Sequence, residues 1–382
     1  MISKILPSYN AIRSEYFEFG KQLATVNEIL KLDETSTFNR EAWNKAGEQK
    51  LQGIPVCKDT GGRGFSCLET CAAFEGLGKG SLDNGLNFSI GAHLLACVMP
   101  LHFHATDEQK KKFLPKLSHG EWIMANAMTE HNSGSNAFAM EGVAVKKGTG
   151  YSITAEKKYI TNAPHANLFL MYALTDKAKG FFGGVSAFIV PVGAGGLEIS
   201  DTKKKMGLRT AQMAHVNFNE VKVTAEQMIG EIGAGSTIFN QSMIWERTVL
   251  AAMHLGQLER AFESALTFCQ SRTLNGKAIT GYENVSHVLA DTKVMIAAGR
   301  NLVYDAALAV DERKRTALLK SSQAKLFVAD KGVEQLKKIQ LLYGASGYLA
   351  ETHIEREYRD LYASLIYSGT TDIQRNIIVG LL

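Results

Sequence analysis

The run Trp245-Glu246-Arg247-Thr248-Val249-Leu250-Ala251-Ala252 sets a carboxylate and a guanidinium immediately before a stretch that is otherwise rich in Ala and Leu. A carboxylate facing a cleft from such a stretch is poorly hydrated. Its pKa then rises towards the working pH, and it can serve as a general base. The same residue also reads as a solvated first-turn Glu answering a helix dipole. Other reactive types are poorly grouped. His102 and His104, in PLHFHATDEQ, look like a metal pair, but no further ligand lies at a suitable spacing and no metal is assigned. His131 reads as a loop histidine without catalytic duty, although its type can donate protons near neutral pH. Cys57, Cys67, Cys71, Cys97 and Cys269 are odd in number and form no CxxC pair, so small buried hydrophobes in a reducing compartment are expected rather than disulfides or zinc. Walker A, HExxH and GxSxG motifs are missing, and no Gly-rich dinucleotide fingerprint follows a strand. Any redox cofactor would therefore be held by something other than a Rossmann loop.

Three zones must position these residues. Residues 1–124 read as helical, with a Gly-rich break at 59–64 and a capped helix start at Thr106-Asp-Glu-Gln. From 125 to 235 the period is that of strands: LFLMYAL (168–174) and VSAFIVPV (185–192) are apolar runs, and Ala214, Val216 and Phe218 alternate with polar neighbours. Residues 236–382 return to helical spacing. Leu255, Leu258, Phe262, Ala265 and Cys269 form one stripe, and Leu289, Ile296 and Val303 another, as expected for a bundle of four long helices. The expected fold class is α+β: an N-terminal helical domain, a middle β-barrel-like domain and a C-terminal four-helix bundle.

Composition sets the outer limits. The 382 residues allow two or three domains, and 45% apolar with 21% charged residues is ordinary for a globular chain. Lys plus Arg less Asp plus Glu is 42 − 38 = +4. That balance gives no support for nucleic acid as a partner, yet it allows a small basic patch for a phosphorylated ligand or an acidic carrier protein. No apolar run of membrane-spanning length is apparent, and MISKILPSYN lacks the apolar core of a signal peptide. A cytoplasmic protein without a membrane partner is expected.

Four polar segments lie beside apolar elements: AMTEHNSGSNA (127–137), KKYITNAPHANLFL (157–170), SRTLNGK (271–277) and GYLAETHIEREYRDLYASLIYSGTTDIQRNII (347–378). Each alone is a capped turn. In this order and spacing they resemble the signature blocks of the acyl-CoA dehydrogenase family, and the similarity extends over roughly residues 38–380. The resemblance implies an FAD site. Asn126, Met128 and Thr129 would line the flavin ring, and Ser135 would reach the FAD phosphates or the thioester arm. Tyr159 stands where the family usually has Trp, with Ile160 beside it, and Thr161 would bond near flavin N5. Arg272 would reach a neighbouring subunit's FAD phosphates, Gly344 would approach the adenosine part, and Thr370 and Asp372 would touch the cofactor after the C-terminal turn. Leu341 in place of Gln, Asn275 in place of an aromatic and Asn136 in place of Asp depart from the pattern. A homotetramer or homodimer is the family habit.

The implied reaction takes an α-proton from an acyl thioester while a β-hydride passes to flavin. Many members carry the base as Glu in a C-terminal YEGT turn; here that turn reads Tyr367-Ser368-Gly369-Thr370. Others, isovaleryl-CoA dehydrogenase among them, place it in an ER pair on a helix, which corresponds to Glu246. Arg247, Tyr367 and Ser368 would then be substrate-side neighbours. The leading expectation is conversion of acyl-CoA to trans-2-enoyl-CoA. A dehydrogenase or oxidase of an acyl group tethered to an acyl or peptidyl carrier protein is the alternative. A flavin-binding relative without dehydrogenase activity and a flavin monooxygenase stand behind both. Electron-transfer flavoprotein or oxygen would be the acceptor.

Overall fold

In the computed structural model, which describes residues 2–382, the N-terminal helices are α1 (Ile2–Gly20), α2 (Val26–Thr35), α3 (Arg40–Glu48), α4 (Cys67–Gly80), α5 (Asn84–His93), α6 (Met99–His104) and α7 (Asp107–Ser118). Their starts are written locally. Thr25 with Glu28, Ser66 with Glu69 and Thr106 with Gln109 each form a reciprocal capping box. A π-helical stretch, Leu94–Val98, joins α5 to α6, so Asn84–His104 runs as one helix of 21 residues. By length and composition this helix could cross a membrane, although polar residues such as Asn87 and His93 keep it from being an uninterrupted apolar run. Its apolar window is 78% buried inside the protein, however, so it serves as a core helix.

The middle layer is an eight-stranded sheet: β1 (Met124–Ala127), β2 (Val143–Lys147), β3 (Gly150–Thr161), β4 (Leu168–Leu174), β5 (Val185–Pro191), β6 (Leu197–Ile199), β7 (Met213–Thr224) and β8 (Met228–Ile229). A single turn, α8 (Phe181–Gly184), precedes β5. The order is β6-β7-β3-β2-β4-β5-β8, with β1 parallel to β4. Ala214, Val216 and Phe218 are buried as their alternation requires. The β3–β7 register slips between Lys157 and Ile160, a bulge at which Tyr159 takes φ +58°.

The C-terminal layer holds α9 (Gly235–Ser271), the short hairpin β9 (Thr273–Leu274) and β10 (Lys277–Ala278), α10 (Glu283–Asp311) and α11 (Ala317–Leu342). The fourth bundle position is not one long helix: α12 (Ile354–Tyr362) and α13 (Thr371–Val379) share it, broken where Ser368 and Gly369 adopt φ +55° and +84°. Helices α4 and α9 touch backbone to backbone. A Cβ on Gly78 would lie 2.1 Å from the Met253 carbonyl oxygen, and one on Gly256 would lie 2.0 Å from that of Glu75. Only glycine permits that approach. The buried Glu75 carboxylate, hydrogen-bonded by Tyr9 and Arg300 and ion-paired with Arg13, ties α1, α4 and α10 together at this crossing.

Candidate active site

Glu246 lies about three turns inside α9 rather than at a helix start, because the helix begins at Gly235 and not at the Ala/Leu run. It is 7% exposed, which removes the solvated first-turn reading. The Ser368 hydroxyl donates to Glu246 Oε1, while Oε2 is buried with no hydrogen-bond partner among the described residues. Burial raises the carboxyl pKa; the Ser368 bond and then the Arg247 charge oppose the rise. Elements from all three layers face it. Cys97 in the π-helical stretch and Tyr172 on β4 are both buried and pushed up, and the negative charge of Glu246 contributes to each shift. The π stretch thus adds one residue to the helix where it passes the carboxylate.

The turn after α12 is held by cations that have no carboxylate within ion-pair distance among the described residues. Arg247 Nε donates to the Ser368 carbonyl at 3.2 Å, Lys325 Nζ to that of Gly369 at 2.8 Å, and Gln374 Nε2 to both at 3.1 and 2.9 Å. Burial lowers Arg247 to about 10 and Lys325 to about 7. Tyr367 bonds His254 through its hydroxyl and packs against Phe88, the ring centroids 4.5 Å apart and the planes tilted by 34°. A small cavity opens beside this turn, lined by Arg247, His254, Lys325, Ser364, Tyr367 and Ser368 together with apolar residues of α9 and α11. Thr370 caps α13 through the Ile373 amide, and the exposed Asp372 pairs with Arg375.

The strand side has a different character. Lys157 Nζ, fully buried, donates to Glu130 Oε1 at 2.7 Å and to the Met128 carbonyl at 3.1 Å. Glu130 also accepts from the amides of Glu141 and Gly142, and Lys158 N bonds the Thr129 carbonyl at 2.8 Å. Burial brings Lys157 down to about 8 against the pull of Glu130. These bonds bring Met128 and Thr129 beside Tyr159, Ile160 and Thr161. Ile160 is buried and Thr161 half-buried, whereas Tyr159 is 60% exposed with its ring edge-on to His215. Asn126 Oδ1 and Ser133 Oγ are buried without hydrogen-bond partners among the described residues, and Ser135 is exposed on the following loop.

Arg272 and Asn275 stand exposed on the β9–β10 hairpin, and Gly344 is exposed after α11. Asn275 and Gly276, at φ +51° and +76°, form its two-residue turn, which explains Asn at that position. Within one chain these three residues are not joined to the Met128–Thr161 block. Lys157, Glu130, Lys325 and Gln374 were not singled out from sequence. Signals existed: Lys157 occupies an inward position on the β3 alternation, and Lys325 interrupts the apolar run Ala324–Val328. His104 Nε2 is bonded to Gln241, and no cluster of three or more His, Cys, Asp or Glu gathers among the described residues. Cys57 is exposed; the other four cysteines are buried.

Comparison with known proteins adds to this geometry. Residues 8–121, 125–221 and 233–380 match the families described as acyl-CoA dehydrogenase N-terminal, middle and C-terminal domains. A Serratia protein named L-prolyl-(peptidyl-carrier protein) dehydrogenase is 37% identical over 342 residues, covering 89% of this chain and 88% of the relative. A short-chain-specific acyl-CoA dehydrogenase of Clostridium acetobutylicum is 34% identical, covering 92% and 91%. The solved structure of PigA with FAD and proline superposes with a TM-score of 0.95 at 33% identity, covering 98% and 97%.

Proposed function

The chain belongs to the acyl-CoA dehydrogenase family, and on that premise we propose that it oxidises the Cα–Cβ bond of an acyl thioester with Glu246 as the base. It is a flavin-dependent oxidoreductase, and its cofactor is FAD. The strand side fits that group. Asn126 Oδ1 and Ser133 Oγ are buried and unpartnered, and the Tyr159 bulge presents an exposed ring beside Thr161. Asn126, Met128, Thr129, Ser135, Tyr159, Ile160 and Thr161 would hold the cofactor, with Thr370 and Asp372 approaching from the C-terminal turn. A homotetramer or homodimer would let the exposed Arg272, Asn275 and Gly344 reach a neighbouring subunit's cofactor. When bound, the flavin supplies the hydride acceptor.

The single observation that supports the base assignment is the free Oε2 of a buried glutamate, beside a turn that carries Ser368 where the resemblance implies a glutamate. Desolvation raises the basicity of Glu246, and its bonded Oε1 leaves Oε2 to receive the α-proton. Arg247, Tyr367 and Ser368 surround the same point and complete the proposed substrate wall. The leading substrate class is an acyl-CoA, giving the trans-2-enoyl-CoA. A second reading keeps the chemistry and changes the handle to a carrier protein, supported by the name of the Serratia relative. In either case electron-transfer flavoprotein or oxygen would reoxidise the enzyme.

Anaerobic bleaching of the flavin band tests this. The same acyl groups, butyryl and prolyl among them, are offered as CoA esters and on a carrier protein to wild type and to Glu246→Gln. Rapid bleaching by a thioester that Glu246→Gln abolishes, with FAD retained, is the expected result. Bleaching by carrier-bound substrates alone would replace the CoA reading, and undiminished bleaching by Glu246→Gln would overturn the base assignment.

A further inference from the structure

We propose that Ser368 is a positioning residue that orients Glu246, its hydroxyl holding Oε1 so that Oε2 alone is presented to the substrate α-carbon. The inference rests on the reading of Glu246 as base. From sequence, Ser368 is expected to be a substrate contact; in the folded chain its hydroxyl proton is directed at the carboxylate. The two oxygens of Glu246 are not equivalent, since one is bonded and the other is buried and free.

The turn that carries Ser368 is built to hold this geometry. Ser368 has φ +55°, a left-handed conformation that non-glycine residues rarely adopt. Its carbonyl is bonded by Arg247 Nε and Gln374 Nε2, and the next carbonyl by Lys325 Nζ and Gln374 Nε2. Four hydrogen bonds from three side chains on α9, α11 and α13 therefore fix the backbone of a residue whose own side chain reaches Glu246. A hydroxyl that merely filled space would need none of this support.

In the step itself Ser368 keeps its proton. The α-carbon's C–H bond would break, its proton forming a new O–H bond at Glu246 Oε2, and the freed electron pair would become the C=C π bond; a bound flavin would supply the acceptor for the β-hydride and its pair. The Ser368 bond favours the charged carboxylate, so it acts against desolvation. The other groups facing Glu246 are Arg247 on α9, Cys97 in the π stretch, Tyr172 on β4 and Tyr367 in the turn, while Lys325 on α11 faces Arg247. Cys97, Tyr172 and Tyr367 are neutral near pH 7, because each is raised by burial. Arg247 and Ser368 are therefore the groups that stabilise the anion.

The test uses Ser368→Gly, which removes the hydroxyl and suits the positive φ, with Ser368→Ala as a second variant. Glu246 is titrated by carbon NMR in the flavin-free protein, and the pH profile of flavin bleaching is recorded with butyryl-CoA and a prolyl-loaded carrier protein. The expected result is a Glu246 titration and an acid limb that both move up by about one to two pH units. The plateau rate should fall roughly 10- to 100-fold, with FAD content unchanged. An unmoved titration and acid limb in Ser368→Gly would overturn the proposal, whatever the rate. Glu246→Gln in parallel separates the two claims: if it bleaches as wild type does, the base reading itself falls. If it is inactive while Ser368→Gly behaves as wild type, only the positioning role falls.

Discussion

The two walls of the site are built on opposite plans. Around Glu246 the protein fixes the geometry with its own side chains: Ser368 binds one carboxylate oxygen, and Arg247, Lys325 and Gln374 hold the carbonyls of the turn, while Glu246 Oε2 alone of the carboxylate is left unpartnered among the described residues. Around Thr161 the polar groups are left open, with Asn126 Oδ1 and Ser133 Oγ buried and unpartnered and the Tyr159 ring exposed. A buried polar atom without a partner is costly, and such atoms persist where a ligand completes them. On the proposed reading, one wall is preorganised by the protein and the other would be completed by the cofactor. The difference matches the chemistry, since a base must be aimed before substrate arrives, whereas a bound cofactor can supply the missing bonds itself.

The largest expected effect comes from the preorganised wall. Glu246→Gln should lower the flavin reduction rate by roughly 10²- to 10⁴-fold, the usual weight of a general base, while FAD stays bound. Because an amide keeps the Ser368 bond and relieves a buried charge, the melting temperature should hold or rise. A variant that loses FAD instead would show that the two walls are not independent.

Lys157→Met attacks the other wall. It leaves the Glu130 carboxylate buried without its cation, a change that costs about 3 kcal/mol or more, and it releases the Met128 carbonyl. The expected outcome is a lower melting temperature and loss of FAD on gel filtration. Retention of both would show that the amides of Glu141 and Gly142 hold this block unaided.

The seam between helices and sheet gives a pH effect of intermediate size. His93 accepts from Met124 N at its Nδ1 and bonds the Leu117 carbonyl through Nε2, an arrangement only the neutral ring satisfies. Burial lowers it to about 4, below the ordinary unfolded value of about 6.5. Its contribution is thus complete above about pH 6.5 and is lost as pH falls towards 4, at most about 3 kcal/mol. Urea unfolding at several pH values should show wild type losing more stability over that window than His93→Asn. Parallel curves would remove His93 as the cause.

Tyr159→Ala should act least on the fold. Its ring is largely exposed, so stability should change by less than about 1 kcal/mol while FAD affinity drops. An unchanged affinity would mean that the bulge, rather than its side chain, meets the cofactor.

Much of this architecture follows from local pattern. The Thr106 cap, the strands at 168–174 and 185–191 and the buried stripe of α9 form where periodicity and capping chemistry place them, because both depend on neighbours within a few residues. The blocks around Thr129, Thr161, Glu246 and Thr370 were likewise legible as motifs. Less visible were the break in the fourth bundle helix, the depth of Glu246 inside α9 and the inward-facing Lys157 and Lys325. Each depends on partners far along the chain: Ser368 on Glu246, Lys325 on Gly369 and Lys157 on Glu130.

Local sequence pattern was enough for the layers and for Ser368 in the C-terminal turn, where the resemblance implies a glutamate. Which oxygen of Glu246 is free among the described residues follows from the packed chain alone. That outcome is set by a hydroxyl 122 positions away in sequence and by the cations that fix its backbone. Periodicity reports which face of an element is buried. It does not report which atom on that face is left without a partner, because that requires the facing elements to be in place.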